Sequence, residues 1–319
     1  MTLLCKPKQK VMAQFLFYAL EVIQTFFSKL VKRVIRFWTN KCEIERICIS
    51  GGYHTSDMSL LFAKSLWRSR KLGPLSKTVF FPNDFSVSTT AESIARIKKI
   101  NIKTDDENTT SNTRIIAMNL VHCLSSLKHV NDVIWVIEGM ILQKVEMTNT
   151  QHSILLEEFW SKMRPGVRRD ADRDWGEVGF QGKDPCTDFR GMGILGLKQL
   201  VALSKEEYAI SMLEDADHPR RYYPFACTGI NISSFIVDLL RNRHLHLHLL
   251  RSLEKTAVTA SVNGTELLDA GCVAVNRVYC EVFKLFSDTW QDRDPPNVMH
   301  FKDIFSEVQT IIKTKYPNF

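Results

Sequence analysis

The sequence lacks a CxxC pair, a Gly-x-x-x-x-Gly-Lys-Ser/Thr phosphate loop, an internal repeat and an uninterrupted apolar run long enough to span a bilayer. Its eight cysteines, from Cys5 to Cys280, are scattered through 319 residues. That spacing argues against a disulfide framework and a zinc site, and for free thiols in a reducing compartment. Glycine (14) and proline (10) are too few for a collagen-type repeat. What is present is ordinary for a folded chain. Apolar residues make up 45% and charged residues 24%, which excludes wholesale disorder and a polytopic membrane protein.

Charge is the first feature with a location. Eight basic residues (Lys6, Lys8, Lys10, Lys29, Lys32, Arg33, Arg36 and Lys41) and one acid, Glu21, fall between Met1 and Cys42. The entire surplus of +7 lies there, and the rest of the chain is formally neutral. A nucleic-acid-binding domain carries its surplus on the folded part, so nucleic acid is not expected as a partner. Placed on a helix, Gln14, Glu21, Thr25, Ser28, Lys32 and Arg36 form one polar stripe within Val11–Trp38. The apolar arc opposite is wider than a surface helix needs.

Three readings are open for this segment. It is an in-plane or shallowly inserted membrane helix with Lys29, Lys32, Arg33 and Arg36 at the headgroups, a signal anchor or presequence, or a helix packed on the protein's own core. Apolar and basic character together favour the first. Glu21 and Gln24 interrupt the apolar stretch, and no small-residue cleavage site is evident. The expected location is intracellular, cytosol-facing and membrane-associated.

Beyond residue 42 the apolar spacing is helical almost throughout. It marks helices near Ala91–Ile100, Ile115–Met147, Gln151–Met163, Leu195–Leu203, Asn231–Leu240, Leu267–Trp290 and Phe301–Ile312. Asn149 or Thr150 caps the third of these, and Pro165-Gly166 stops it. Ser50–Ser93, with Gly51-Gly52, Gly73-Pro74 and much Ser and Thr, reads as a linker with short elements. The fold expected is all-α, with about 8 to 10 helices and almost no strand. Its divisions are an N-terminal helix over 1–42, a linker with helices packing on the core over 43–130, a main domain over 131–310 and a tail over 311–319. The histidines of His244-Leu-His246-Leu-His248 would diverge on a helix, so a solvated helix end is preferred to a metal site.

The informative stretch is Trp175–Leu197, WGEVGFQGKDPCTDFRGMGILGL. Six glycines, Pro185, Asp184 and Asp188 force an irregular backbone, while Trp175, Val178, Phe180, Phe189 and Met192 can pin it to a core. Gly191-Met-Gly193 is not read as a phosphate cradle because no strand precedes it. Arg190 stands out. Taken alone, its commonest use is structural, forking onto Asp188, Asp184 or Glu177.

At these residues the sequence resembles the ELMO-domain-containing (ELMOD) family. The resemblance is carried by the Trp175–Gly193 string, by Tyr223-Pro-Phe-Ala226 with Gly229-Ile-Asn231, by the Gln151-His152…Phe159-Trp160…Pro165 lead-in and by Tyr279-Cys280…Phe283…Phe286…Trp290. The segment Lys41-Cys42-Glu43-Ile44…Arg46-Ile47-Cys48 is similar to short members that carry an apolar N-terminal helix. The resemblance implies a multi-helix ELMO domain and a GTPase-activating protein for Arf-family, including Arf-like, small GTPases. It implies Arg190 as the arginine finger, and no metal or cofactor of the protein's own. Asp188 would orient the guanidinium, Gly191 and Gly193 would allow close approach of the GTPase, and Gln181 and Thr187 would flank the interface. Trp175, Phe180 and Phe189 are expected in the core. The alternative is a non-catalytic adaptor like the larger engulfment-and-motility proteins, with Arg190 structural. Those carry further domains and a proline-rich C-terminus for which this chain, ending soon after Pro317, has no room.

Overall fold

The computed structural model describes residues 30–50, 55–81, 84–103, 110–169, 174–259 and 264–319. Within Val11–Trp38 it therefore speaks only to residues 30–38. Among the described residues the fold is helical without strands, as the apolar spacing predicts. The helices are α1 (30–39), α2 (Glu43–Ser50), α3 (Ser56–Arg68), α4 (Gly73–Phe80), α5 (Val87–Lys98), α6 (Ser111–Leu142), α7 (Thr150–Met163), α8 (Gly193–Leu203), α9 (Ala209–Ala216), α10 (Phe225–Arg241), α11 (His246–Thr259), α12 (Gly264–Arg293) and α13 (Phe301–Lys315).

That is more than the 8 to 10 expected, and two of the unexpected helices lie in the stretch read as a linker. Residues of Ser50–Ser93 form α3, α4 and the start of α5. Two of the Ser and Thr that suggested a linker are caps, and others lie buried inside the helices. Thr55 Oγ1 accepts from the Met58 amide and Ser86 Oγ from the Thr89 amide. Pro74 sits in the first turn of α4, where its missing N–H costs nothing.

Two apolar clusters grow on opposite halves of α6. Phe62, Leu66, Leu72 and Ile94 join Ile116, Leu120, Cys123, Leu124 and Leu127 in the first. Val130, Val133, Ile134 and Ile137 belong to the second, which takes in α7 to α13. The change falls between Leu127 and Val130, inside one continuous helix. Central to the second cluster is α8, buried along most of its length and packed on α6, α7, α10 and α12.

The histidine run is not a solvated end. His244 Nδ1 lies 2.5 Å from the Tyr316 carbonyl, and His248 Nε2 lies 3.3 Å from that of Ala274. His246 is buried between the rings of Phe80 and Phe319. Burial, with Arg243 adding repulsion, pulls its pKa down to about 3. The three imidazoles point to three different places, and each is used in packing.

Candidate functional site

The glycine-rich stretch forms two short 3₁₀ turns, Trp175–Val178 and Pro185–Gly191, joined by an exposed bend. Each turn is capped by an aspartate. Asp174 accepts from the Gly176 amide at 2.8 Å, and Asp184 from the Cys186 amide at 3.0 Å. Between them the chain passes Gly179 at φ 83°, where a Cβ would lie 2.1 Å from the Phe225 amide nitrogen. A left-handed backbone pressed onto the start of α10 leaves room only for glycine. The Cys227 amide donates to the Gly179 carbonyl at 3.1 Å and locks the contact.

The second turn displays Arg190. A 3₁₀ helix has three residues per turn, so residues three apart share a face. Cys186 and Phe189 face inward, with Phe189 buried, while Thr187 and Arg190 face solvent. An edge-on aromatic chain anchors the base: Phe189 to Phe180 at 5.5 Å, Phe180 to Trp175 at 5.8 Å, and Trp175 to Trp160 at 5.7 Å between ring centres. Trp175, Phe180 and Phe189 are core residues, as expected.

Arg190 Nε donates to the Thr187 carbonyl at 2.7 Å. Its two terminal amino groups have no partner among the described residues, and no carboxylate pairs with it there. The fork onto Asp184, Asp188 or Glu177 is therefore not formed. Nor does Asp188 orient the guanidinium. Its Oδ2 accepts from the Gln181 amide at 2.7 Å and faces Cys227 Sγ at 3.6 Å. Burial and the Asp188 charge push the Cys227 thiol up to about 12, so it stays a protonated donor. Asp188 thus closes the exposed bend, and the Thr187 backbone aims Arg190.

The two glycines after Arg190 differ. Gly191 is exposed, with open space where a Cβ would be. Gly193 is buried at φ 51°, its Cβ position within 2.4 to 2.7 Å of the carbonyl oxygens of Met140, Ile141 and Gln143. Its smallness serves the inside of the molecule, not a partner's approach. The Ile194 amide donates to the Gln143 carbonyl at 2.9 Å, setting the positive end of α8 against the negative end of α6. Gly191, Gly193 and Gly196 have the Gly-x-Gly-x-x-Gly spacing of a dinucleotide loop, but a 3₁₀ turn leads into them and Gly196 backs onto the Phe189 ring.

Gln181, Lys183, Asp184, Thr187, Arg190 and Gly191 form one exposed surface. Sequence reasoning missed the inner supports (Cys227 and the carbonyl end of α6), which lie far away in the chain and carry no local signal. It also missed Leu142, 83% exposed at the end of α6 where Gly193 packs. Among the described residues no three His, Cys, Asp or Glu side chains are grouped to hold a metal ion.

The model of the ELMO/CED-12 family matches residues 136–305, just over half of the chain. ELMO domain-containing protein B of Dictyostelium discoideum is 31% identical over 294 residues, covering 90% of this chain and 94% of that relative. The human ELMO domain-containing protein 2 is 29% identical over 285 residues, covering 86% and 87%. The human ELMO domain-containing protein 1 is 26% identical over 329 residues, covering 92% and 90%. No solved structure matches.

Proposed function

Because this chain belongs to the ELMO/CED-12 family and holds a free guanidinium on a rigid turn, we propose that it is a GTPase-activating protein for Arf-family small GTPases, Arf-like members included. The observation that carries the reading is Arg190 itself. It is exposed, aimed by one backbone carbonyl, uncancelled by any described carboxylate and seated on the buried Phe189.

In GTP hydrolysis negative charge builds on the phosphoryl oxygens. A guanidinium supplied from another protein neutralises that charge and is worth about 10³ to 10⁵ in rate. The magnesium ion and the nucleotide belong to the GTPase. This chain supplies Arg190, a stiff base for it, and the exposed residues Gln181, Thr187 and Gly191 around it. Leu142 offers an apolar contact at the rim.

A membrane surface is the second partner. In α1, Leu30, Val31, Val34, Ile35, Phe37 and Trp38 are exposed, while Lys32 pairs with Glu43. No described helix is long and apolar enough to cross a membrane. An apolar face beside basic residues suits a helix lying on the bilayer.

The test is GTP hydrolysis by purified Arf-like GTPases with wild type and Arg190→Lys. Lysine keeps the charge but loses the planar fork. The expected result is a loss of about 10³-fold in stimulated rate with binding and melting temperature retained. Full activity in the lysine variant rejects the finger, and absence of stimulation by the wild type leaves the adaptor reading.

A further inference from the structure

Far along the chain from Arg190, a cavity of about 360 Å³ opens between α1, the start of α2, the 3₁₀ turn Arg70–Leu72 and the end of α5. Helix α1 contributes Lys32, Arg33 and Arg36. The folded body contributes Arg46, Lys71, Lys98 and Lys99. The one acid in the lining, Glu43, is taken up by Lys32 at 2.7 Å. Two of the remaining cations are aimed by neutral groups, which fix position without cancelling charge. Arg46 donates to the Lys41 carbonyl at 2.8 Å, and Lys98 Nζ donates to Ser69 Oγ at 2.7 Å. Burial lowers the Lys98 pKa, and Lys71 and Arg36 add repulsion.

Cations gathered in a concave wall repel one another, and a multiply charged anion relieves them together. The volume lies within the small-ligand range. On the same short helix as Lys32, Arg33 and Arg36, Phe37 and Trp38 are 86% and 82% exposed. Large apolar side chains beside a basic hollow suit an anion presented by a bilayer, where the rings enter the interface as the cations meet phosphate. We propose that this pocket binds the headgroup of a polyphosphorylated inositol lipid and so orients the folded body on the membrane. The proposal rests on the membrane reading above, and adds to it a specific headgroup and residues outside the apolar segment.

The test uses the full chain and two sets of vesicles of equal surface charge. One carries a phosphatidylinositol bisphosphate in phosphatidylcholine, the other phosphatidylserine. The wild type is expected to bind the first about tenfold more tightly. Lys71→Gln with Lys99→Gln leaves α1 untouched and should reduce that binding roughly tenfold, down to the phosphatidylserine level. Lys71→Glu alone is the second variant should the pair disturb the melting temperature. If wild type prefers neither vesicle and the variants bind like it, the headgroup site is overturned while membrane attachment stands. If wild type binds no vesicle, the membrane reading fails and the site with it. Tight binding of soluble inositol trisphosphate without recruitment to vesicles overturns the lipid as source. Tighter binding to an RNA oligomer than to either vesicle overturns it in favour of nucleic acid.

Discussion

The two halves of the molecule solve the same packing problem differently. Around the first half of α6 the core is mainly aliphatic, with the thiols of Cys48 and Cys123, and its helices are short and regular. One buried amide, Asn119 Nδ2, donates to the Cys48 carbonyl at 2.7 Å. Around the second half the core is rich in aromatic rings, among them Trp175, Phe180, Phe189, Phe225, Phe283, Phe286 and Trp290. Rings have the reach to hold an irregular backbone in one shape, so this half can carry two 3₁₀ turns and an outward arginine. The first half displays its charge from helix ends instead. Irregular backbone for display thus sits where aromatic residues are most concentrated, and the family model matches that half.

The comparison breaks most sharply at Gly179. Gly179→Ala drives a Cβ into the α10 backbone at a left-handed φ, and a cost of roughly 4 kcal/mol or more is expected, with GTPase stimulation lost. In the other half, Phe62→Ala is expected to cost about 3 to 5 kcal/mol. Native-state hydrogen exchange should then accelerate in α2–α5 well before α10 and α12. Equal acceleration in both halves would show that they open as one unit.

His246 sharpens the comparison because it sits where the halves meet, its ring against Phe80 of α4. The folded state holds it neutral to about pH 3, while the unfolded chain takes up a proton below about pH 6.5. Its stabilising contribution is therefore complete above pH 6.5 and is lost as pH falls toward 3. Between pH 7.5 and pH 5 the loss is about 2 kcal/mol. Urea melts of His246→Leu should be flatter with pH by that amount, and an unchanged slope would remove His246 as the cause.

The smallest effect is expected at Asp188. Asp188→Ala frees the Gln181 amide and loosens the bend for about 1 to 2 kcal/mol, in a melting curve. GTPase stimulation should fall far less than with Arg190→Lys. A loss as large as that of the arginine variant would give Asp188 a direct part at the nucleotide.

Much of the second half was legible because its helices are long and amphipathic or fully apolar. The Asn149 cap, the end of α7 before Pro165-Gly166 and the inward rings of the loop all follow from local chemistry. In the first half α5 and the start of α6 were legible, but α3 and α4 were not, because residues such as Thr55, Pro74 and Ser86 have two uses, punctuation in a linker and capping of a helix. Only tertiary packing decides between them. In the glycine-rich loop, the resemblance singled out Arg190, but the setting of its side chain was not legible. That Asp188 turns to Gln181 and Cys227, and that Gly193 meets the end of α6, are long-range facts with no trace in the local string.

Helix α6 has 32 residues, about 48 Å at 1.5 Å per residue. One end is built into the aliphatic half, and Gly193 is moored to the carbonyls at the other, three residues past Arg190. The arginine turn therefore rides on the tip of a stiff strut. The distance of Arg190 from the aliphatic half is then a matter of counted helical turns, not of a hinge.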